Sequence, residues 1–293
     1  MTIKFDWLGF AITASLVAMI VSTRTASSAA PIFAGAEVVE FESVSFTYTP
    51  SPFKVKQAKK LGIPVEVKTE PGVSLTGYLA RPAGEEPRPA IVLLHSSFGI
   101  SKSEEMWSDR LVGWGYVVLS VDSFTARGKS NISDGSQGYV RPWARALDAY
   151  GAKQYLSTRP FVDSARIAVM GMSHGGMSVL EVIKRSTSEG LAMKPFQAAI
   201  AFYPLCSVPE PINTPSLILT GELDQWTPAV PCEQYLDKLQ PQHEISMKVF
   251  PGAYHAFDIV GLDTIDTGYI VRYNQKAAAE AFRMSREFLE EWL

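Results

Sequence analysis

RIAVMGMSHGGM, residues 166–177, is the stretch on which the fold turns. An apolar, partly β-branched run, Ile167 to Met170, leads straight into Gly171-Met172-Ser173-His174-Gly175. Small and apolar residues then continue from Gly176 to Ile183. This succession predicts a buried strand, a sharp turn and a helix, with a serine at the turn. The glycines have a steric reason, because the turn crowds the backbone around the serine and a Cβ would clash there. A turn this tight lifts the Ser173 hydroxyl clear of strand and helix. It sets the hydroxyl beside a helix N-terminus, whose N–H groups favour developing negative charge. A bare G-x-S-x-G match arises by chance in about one chain in ten of this length. A glycine-rich turn with an incidental serine is therefore the competing reading, and the other residues decide.

Outward from this unit, apolar runs alternate with helical patterns. Residues 90–94 (AIVLL), 116–121, 167–170, 198–203, 216–220 and 245–250 read as strands. Residues 103–114, 141–156, 231–239 and 272–292 read as helices, the first capped by Ser101 or Ser103. Pro142 stands early in its helix, where a missing N–H costs nothing. Continuous apolar strands separated by helices indicate a parallel sheet covered on both faces. Residues 37–82 alternate instead, in VVEFESVSFTY, IPVEVKTE and VSLTGYLARP, with Pro71-Gly72 as a turn. They read as antiparallel strands at the entrance to the sheet, with the Pro- and Lys-rich 49–61 as a surface excursion.

The chain has 293 residues, 46% of them hydrophobic, enough to bury one large core, so 31–293 is expected to form a single domain. A formal net charge of −3 without a basic block gives nucleic-acid binding no electrostatic support. At the N-terminus, Lys4 precedes an apolar run from Leu8 to Val21, followed by Ala26-Ser27-Ser28-Ala29-Ala30. That is the layout of a secretory signal peptide over 1–30, cleaved within 26–30. The run is short of the roughly 20 residues a membrane span needs, so the mature chain is expected to have no stable span. The rival reading is an uncleaved N-terminal membrane anchor. Either way the domain faces an export compartment, periplasmic or extracellular. In that compartment Cys206 and Cys232 are expected to form one disulfide, the alternative being two unpaired buried thiols.

In parallel sheets covered on both faces, the active site lies at the carboxyl ends of the strands. Gly221-Glu222-Leu223-Asp224-Gln225-Trp226 follows one strand, and Pro251-Gly252-Ala253-Tyr254-His255-Ala256-Phe257-Asp258 follows the next. A serine, an acid and a histidine thus stand past three strand ends, in the order Ser173, Asp224, His255. Of the four histidines, His95 belongs to an earlier strand end, His174 follows the serine along the helix start, and His243 precedes its strand. His255 is left as the base. Glu222 sits too early in its strand end, and Asp258 too near His255 in sequence, so Asp224 is the chosen acid. The chemistry needs these types. A serine hydroxyl requires a base within hydrogen-bond reach, neutral imidazole can take and return the proton, and a carboxylate fixes the imidazole's tautomer. Developing oxyanion charge needs two donors, expected from the backbone N–H of His174 and of Ser97, with Ser96 as runner-up. Phe98, Tyr139, Trp143, Trp226 and Tyr254 lie in or near strand-end loops as candidate pocket walls. The 259–270 loop is a candidate lid. No His/Cys/Asp cluster has metal-ligand spacing, so metal catalysis is not expected.

Taken together, HSSFG at 95–99, DSFTARG at 122–128, GMSHGG at 171–176, GELDQWTPA at 221–229 and PGAYHAFD at 251–258 resemble the dienelactone hydrolase family of α/β-hydrolases. The resemblance runs from about Val73 to the C-terminus. It implies an α/β-hydrolase fold: a doubly wound, mostly parallel sheet of about eight strands with helices on both faces. It also implies cofactor-free hydrolysis of small-molecule esters or lactones, with Ser173, Asp224 and His255 at the nucleophile, acid and base positions. Two residues depart from the pattern. Serine replaces the cysteine nucleophile of the name-giving enzymes, and Ser96 replaces a glutamate that activates that thiol. Both departures favour ester hydrolysis by a serine triad over the name-giving activity. Arg127 occupies the place of an arginine that can meet a substrate carboxylate, its competing role being to bond loop carbonyls. The expectation is an exported serine hydrolase. An acyltransferase on the same triad and a non-catalytic binding module of the same fold are the alternatives.

Overall fold

A computed structural model describes residues 33, 35–48, 52–65, 67–239 and 244–293. The signal-like segment 1–30, its expected cleavage point and His243 lie outside the described residues. The strands are β1 (Glu37–Glu42), β2 (Phe46–Tyr48), β3 (Lys68–Glu70), β4 (Ser74–Ala80), β5 (Arg88–Leu94), β6 (Val117–Asp122), β7 (Val162–Met172), β8 (Ala199–Phe202), β9 (Ser216–Gly221), β10 (Ile245–Phe250), β11 (Asp263–Asp266) and β12 (Tyr269–Arg272). The α-helices are α1 (Pro52–Leu61), α2 (Lys102–Gly113), α3 (Pro142–Ser157), α4 (His174–Val182), α5 (Arg185–Leu191), α6 (Ala229–Lys238) and α7 (Gln275–Trp292).

Eight strands join one sheet in the order β1-β4-β6-β5-β7-β8-β9-β10. The β1–β4 and β4–β6 pairings are antiparallel. From β6 across to β10 every pairing is parallel. The central strand shows why the sheet is covered on both sides. Residues 90–94 of β5 are all buried, yet Ala90, Val92 and Leu94 join one core while Ile91 and Leu93 join the other. Successive side chains of a strand point to opposite faces, so a continuous apolar strand needs two partners. Tyr150 of α3, Val179 of α4 and Tyr235 of α6 fill the first core; Trp107 of α2 and Leu289 of α7 fill the second. In α7 the inward stripe is Ala277, Ala281, Ser285 and Leu289 at four-residue spacing, and Asn274 caps its first turn by accepting from Ala277 N.

Three local readings change. Residues 52–61 of the surface excursion form α1 rather than irregular chain. The C-terminal helix starts at Gln275, three residues later than expected. The expected 259–270 loop is largely taken up by the β11–β12 hairpin, which runs on to Arg272 and is joined by Thr267 and Gly268 with φ 47° and 89°. A two-residue turn with both φ positive is the connection that matches strand twist, and a threonine in its first position hides the signal. Cys206, after β8, and Cys232 of α6 form a disulfide. Among the described residues no helix is long and apolar enough to cross a membrane.

Candidate active site

Ser173 is the single residue between β7 and α4, and its backbone is forced to φ 52°, ψ −115°. A non-glycine residue held there costs on the order of 1–3 kcal/mol. Its neighbours hold it. Ser173 N–H donates to the Phe202 carbonyl at 2.9 Å, and the Ser173 carbonyl accepts from Met177 N at 2.9 Å. The flanking glycines are steric necessities. A Cβ on Gly171 would run into the Gly175 carbonyl, and one on Gly175 into the Leu94 carbonyl at the end of β5. The serine is thereby presented on the carboxyl side of the sheet.

The strand-end rule brings its partners to it. The Ser173 hydroxyl lies 3.0 Å from His255 Nε2, and His255 Nδ1 lies 2.7 Å from Asp224 Oδ2. All three residues are buried. Asp224 is fixed by its own turn, because Oδ1 accepts the N–H groups of Trp226 and Thr227 at 2.9 and 2.8 Å. Thr227 Oγ1 lies 2.9 Å from Asp224 Oδ2, 3.0 Å from the Tyr203 carbonyl and 3.0 Å from His255 Nδ1. With acceptors on that side, the imidazole carries its proton on Nδ1 and turns the Nε2 lone pair to the serine. Tyr203 and Trp226 pack on the ring at 4.6 and 5.1 Å between centroids. The other acids go elsewhere. Glu222 is exposed and accepts from Gly252 N at 2.9 Å. Asp258 accepts from Trp107 Nε1 at 2.7 Å and from the Tyr203 hydroxyl at 2.8 Å, and burial pushes its carboxyl up.

Behind Ser97 and His174 lies a second set of buried groups. Arg145 of α3 is fully buried; it donates to the His95 carbonyl at 2.7 Å and to His174 Nδ1 at 2.8 Å. Burial and the neighbouring Arg145 push the His174 imidazole down to about 3, so it is neutral and accepts. Glu104 of α2, also fully buried, accepts from the N–H and hydroxyl of Ser101 at 2.9 and 2.6 Å, and lies 3.5 Å from Ser96 N. Burial pushes its carboxyl up to about 7. His95 donates from Nδ1 to the Ser96 carbonyl at 2.7 Å and accepts from Ser123 N at 3.2 Å. The N–H groups of Ser97 and His174 meet no protein acceptor among the described residues.

A cavity of about 390 Å³ opens beside Ser173 and His255, walled by Phe98, Met172, Tyr203, Ile259, Leu262 and Val271. The β11–β12 hairpin contributes Thr264, Asp266 and Val271 to it. Arg272 N donates to the His255 carbonyl at 3.2 Å and ties the hairpin down. Of the expected pocket residues, Phe98 lines the cavity. Trp226 stands one layer back, stacked on Tyr269 at 5.5 Å. Tyr254 packs under the Arg272 guanidinium at 5.4 Å, outside the cavity. Arg127 also stands outside it: its guanidinium donates to the Ser123 carbonyl at 2.6 Å and to both oxygens of buried Asp148 at 2.9 and 2.8 Å. Sequence reasoning missed Arg145, Glu104, Tyr203 and the aliphatic wall. Two had a signal. Ser101 and Glu104 form a capping box, an S-x-x-E pattern, and Tyr203 ends the expected 198–203 strand. Among the described residues no group of three or more His, Cys, Asp or Glu is arranged to hold a metal ion.

Comparison with known proteins covers most of the chain. A protein of Azospirillum brasilense that bears the name carboxymethylenebutenolidase is 26% identical over 199 residues, 64% of this chain and 84% of its own. Of solved structures, a dienelactone hydrolase of Klebsiella pneumoniae aligns with 87% of this chain and 100% of its own, at 16% identity and a TM-score of 0.60. Esterase 2 of Thermogutta terrifontis, solved with butyrate bound, aligns with 75% of this chain and 90% of its own, at 19% identity and a TM-score of 0.57. These likenesses agree on the two-sided, mostly parallel sheet. The sequence profile of the dienelactone hydrolase family matches residues 75–293, from β4 to the last residue. On that match the chain is a hydrolase and belongs to the dienelactone hydrolase family.

Proposed function

We propose that the protein is an exported serine hydrolase that cleaves carboxylic esters or lactones through an acyl-enzyme intermediate. The observation that carries this reading is the unbroken line Asp224–His255–Ser173, with 2.7 and 3.0 Å between partners, on a strained turn that faces a cavity. In the first half-reaction the Ser173 hydroxyl attacks the ester carbonyl while His255 Nε2 takes its proton. Asp224 holds the ring and stabilises the imidazolium. The tetrahedral oxygen takes hydrogen bonds from the N–H groups of Ser97 and His174. His255 then returns the proton to the leaving alcohol. Water repeats the sequence on the acyl-enzyme, releasing the acid and restoring Ser173. Export is supported by the disulfide, which suits an oxidising compartment, and by the signal-like sequence of 1–30.

Ser173→Ala tests the assignment. Turnover of p-nitrophenyl butanoate is expected to fall by about 10⁴–10⁶-fold, with labelling by a fluorophosphonate lost and the unfolding midpoint retained. Turnover at the parent rate in Ser173→Ala refutes it.

A further inference from the structure

We infer that this site selects uncharged esters with an aliphatic acyl group and rejects esters whose acyl chain carries a carboxylate. The inference rests on the proposed serine chemistry and names the substrate class within it. The apolar lining of the cavity includes Met172, Tyr203, Ile259, Leu262 and Val271, and its polar lining outside the proposed triad is Ser96, Ser101, Lys102, Ser103, Thr264 and Asp266. Tyr203 presents only its ring there, because its hydroxyl is committed to Asp258 at 2.8 Å. Nothing on that apolar wall can replace the water that a carboxylate gives up on entering.

The nearby cations are engaged or screened. Arg127 stands in the strand-end loop after β6, but the buried carboxylate of Asp148 takes it bidentately, and the Ser123 carbonyl takes a third bond. Arg145 is fully buried behind the loop and spans the His95 carbonyl and His174. Lys102 is the one cationic residue among those lining the cavity. It is exposed, where its charge is screened by water, and the Asp266 carboxylate lies on the same lining. Apart from exposed Lys102, the lining side chains outside the triad offer a carboxylate only neutral hydroxyls, so a carboxylate drawn into this cavity is desolvated without a buried charged partner, which is how a site discriminates against a charged analogue. Aliphatic carbon gains instead. Each methylene transferred from water to such a wall favours binding by about fourfold.

Matched substrates test the inference. p-Nitrophenyl hexanoate and p-nitrophenyl hydrogen adipate have the same acyl length and leaving group and differ in one terminal carboxylate. At neutral pH the hexanoate is expected to exceed the adipate in kcat/KM by about 10²-fold or more, and to exceed the butanoate by about tenfold. Ile259→Arg, with intact folding checked by fluorophosphonate labelling, is expected to narrow the hexanoate-to-adipate ratio by at least tenfold by giving the carboxylate a partner. Leu262→Lys serves the same purpose if the first variant does not fold. Equal turnover of hexanoate and adipate by the parent enzyme, abolished in Ser173→Ala, overturns the selectivity and leaves the serine chemistry standing. Turnover that survives Ser173→Ala overturns the serine chemistry on which the inference rests, and turnover of neither ester overturns both.

Discussion

The Asp224 turn and the 95–99 loop flank Ser173, and each has a buried side, with Asp224 and Thr227 in one and His95 and Ser97 in the other, but the bonds that fix them differ in reach. Asp224 is held in the turn after β9 chiefly by residues two and three positions on, Trp226 and Thr227. The 95–99 loop is held from behind by charged side chains of two helices. Arg145 of α3 grips the His95 carbonyl from fifty residues away, and Glu104 of α2 grips Ser101 and approaches Ser96. Arg145 also reaches the ring of His174, so one guanidinium links the backbone of the 95–99 loop to the side chain of the residue after Ser173. A local turn fails only if its own few bonds fail. A loop pinned by buried charges fails when a distant residue changes, because a buried donor or acceptor left unpaired costs more than the bond was worth.

That contrast breaks most sharply at the two buried aspartates beside His255. Asp224→Asn keeps the shape of the turn but no longer holds the imidazole with its proton on Nδ1, and kcat is expected to fall by about 10⁴-fold. Asp258→Asn changes the same atoms a few ångströms away. There the amide oxygen can accept from Trp107 Nε1 while the Tyr203 hydroxyl accepts from the amide N–H, so turnover is expected to stay within about tenfold. Steady-state kinetics on one ester measures both. Equal losses in the two variants would mean that His255 draws its orientation from the Asp258 side.

On the loop side the expected loss is smaller and of a different kind. Arg145→Met removes the donor to the His95 carbonyl and to His174 together. Displacing an oxyanion donor is worth about 10²–10³ in kcat, so kcat is expected to fall by that factor with KM changed little. Arg145→Lys is expected to restore part of it through one of the two bonds. Kinetics read beside the unfolding midpoint separates the roles: a variant with a lowered midpoint and parent kcat would make Arg145 a core residue only.

The same contrast explains what the sequence reveals. That Ser173, Asp224 and His255 meet is legible because side-chain chemistry needs particular residue types, and strand ends are marked by apolar runs. The two-sided sheet is legible for a related reason, since 90–94 and 217–219 are apolar without alternation. The oxyanion side is only half legible. A backbone N–H has no residue identity, so Ser97 can be proposed from its place after β5, but the residues that aim it carry no motif. Arg145 looks like any charged residue in a helical pattern until the helix is packed. Arg127 reads as a candidate for substrate because its partner, Asp148, is distant in sequence. The hairpin at 263–272 escapes because its strands are only four residues each.

Glu104 gives the finest test of how dry the clamp is. Its carboxyl titrates at about 7 in the folded protein against an ordinary value of 4.5. Between those values the folded protein keeps a proton that the unfolded chain has released, so this group makes stability fall as pH rises. The penalty is absent below about 4.5 and complete above about 7, where it reaches about 3 kcal/mol. The ionised form is nevertheless the better acceptor for the Ser101 N–H and hydroxyl, so the loop is gripped hardest where the fold is most strained by the charge. Glu104→Gln keeps an acceptor for Ser101 and removes the titration. Urea unfolding across this range is expected to show the parent losing stability with rising pH while the variant stays flatter by about 3 kcal/mol over the interval. Parallel pH profiles would show that water reaches the carboxyl.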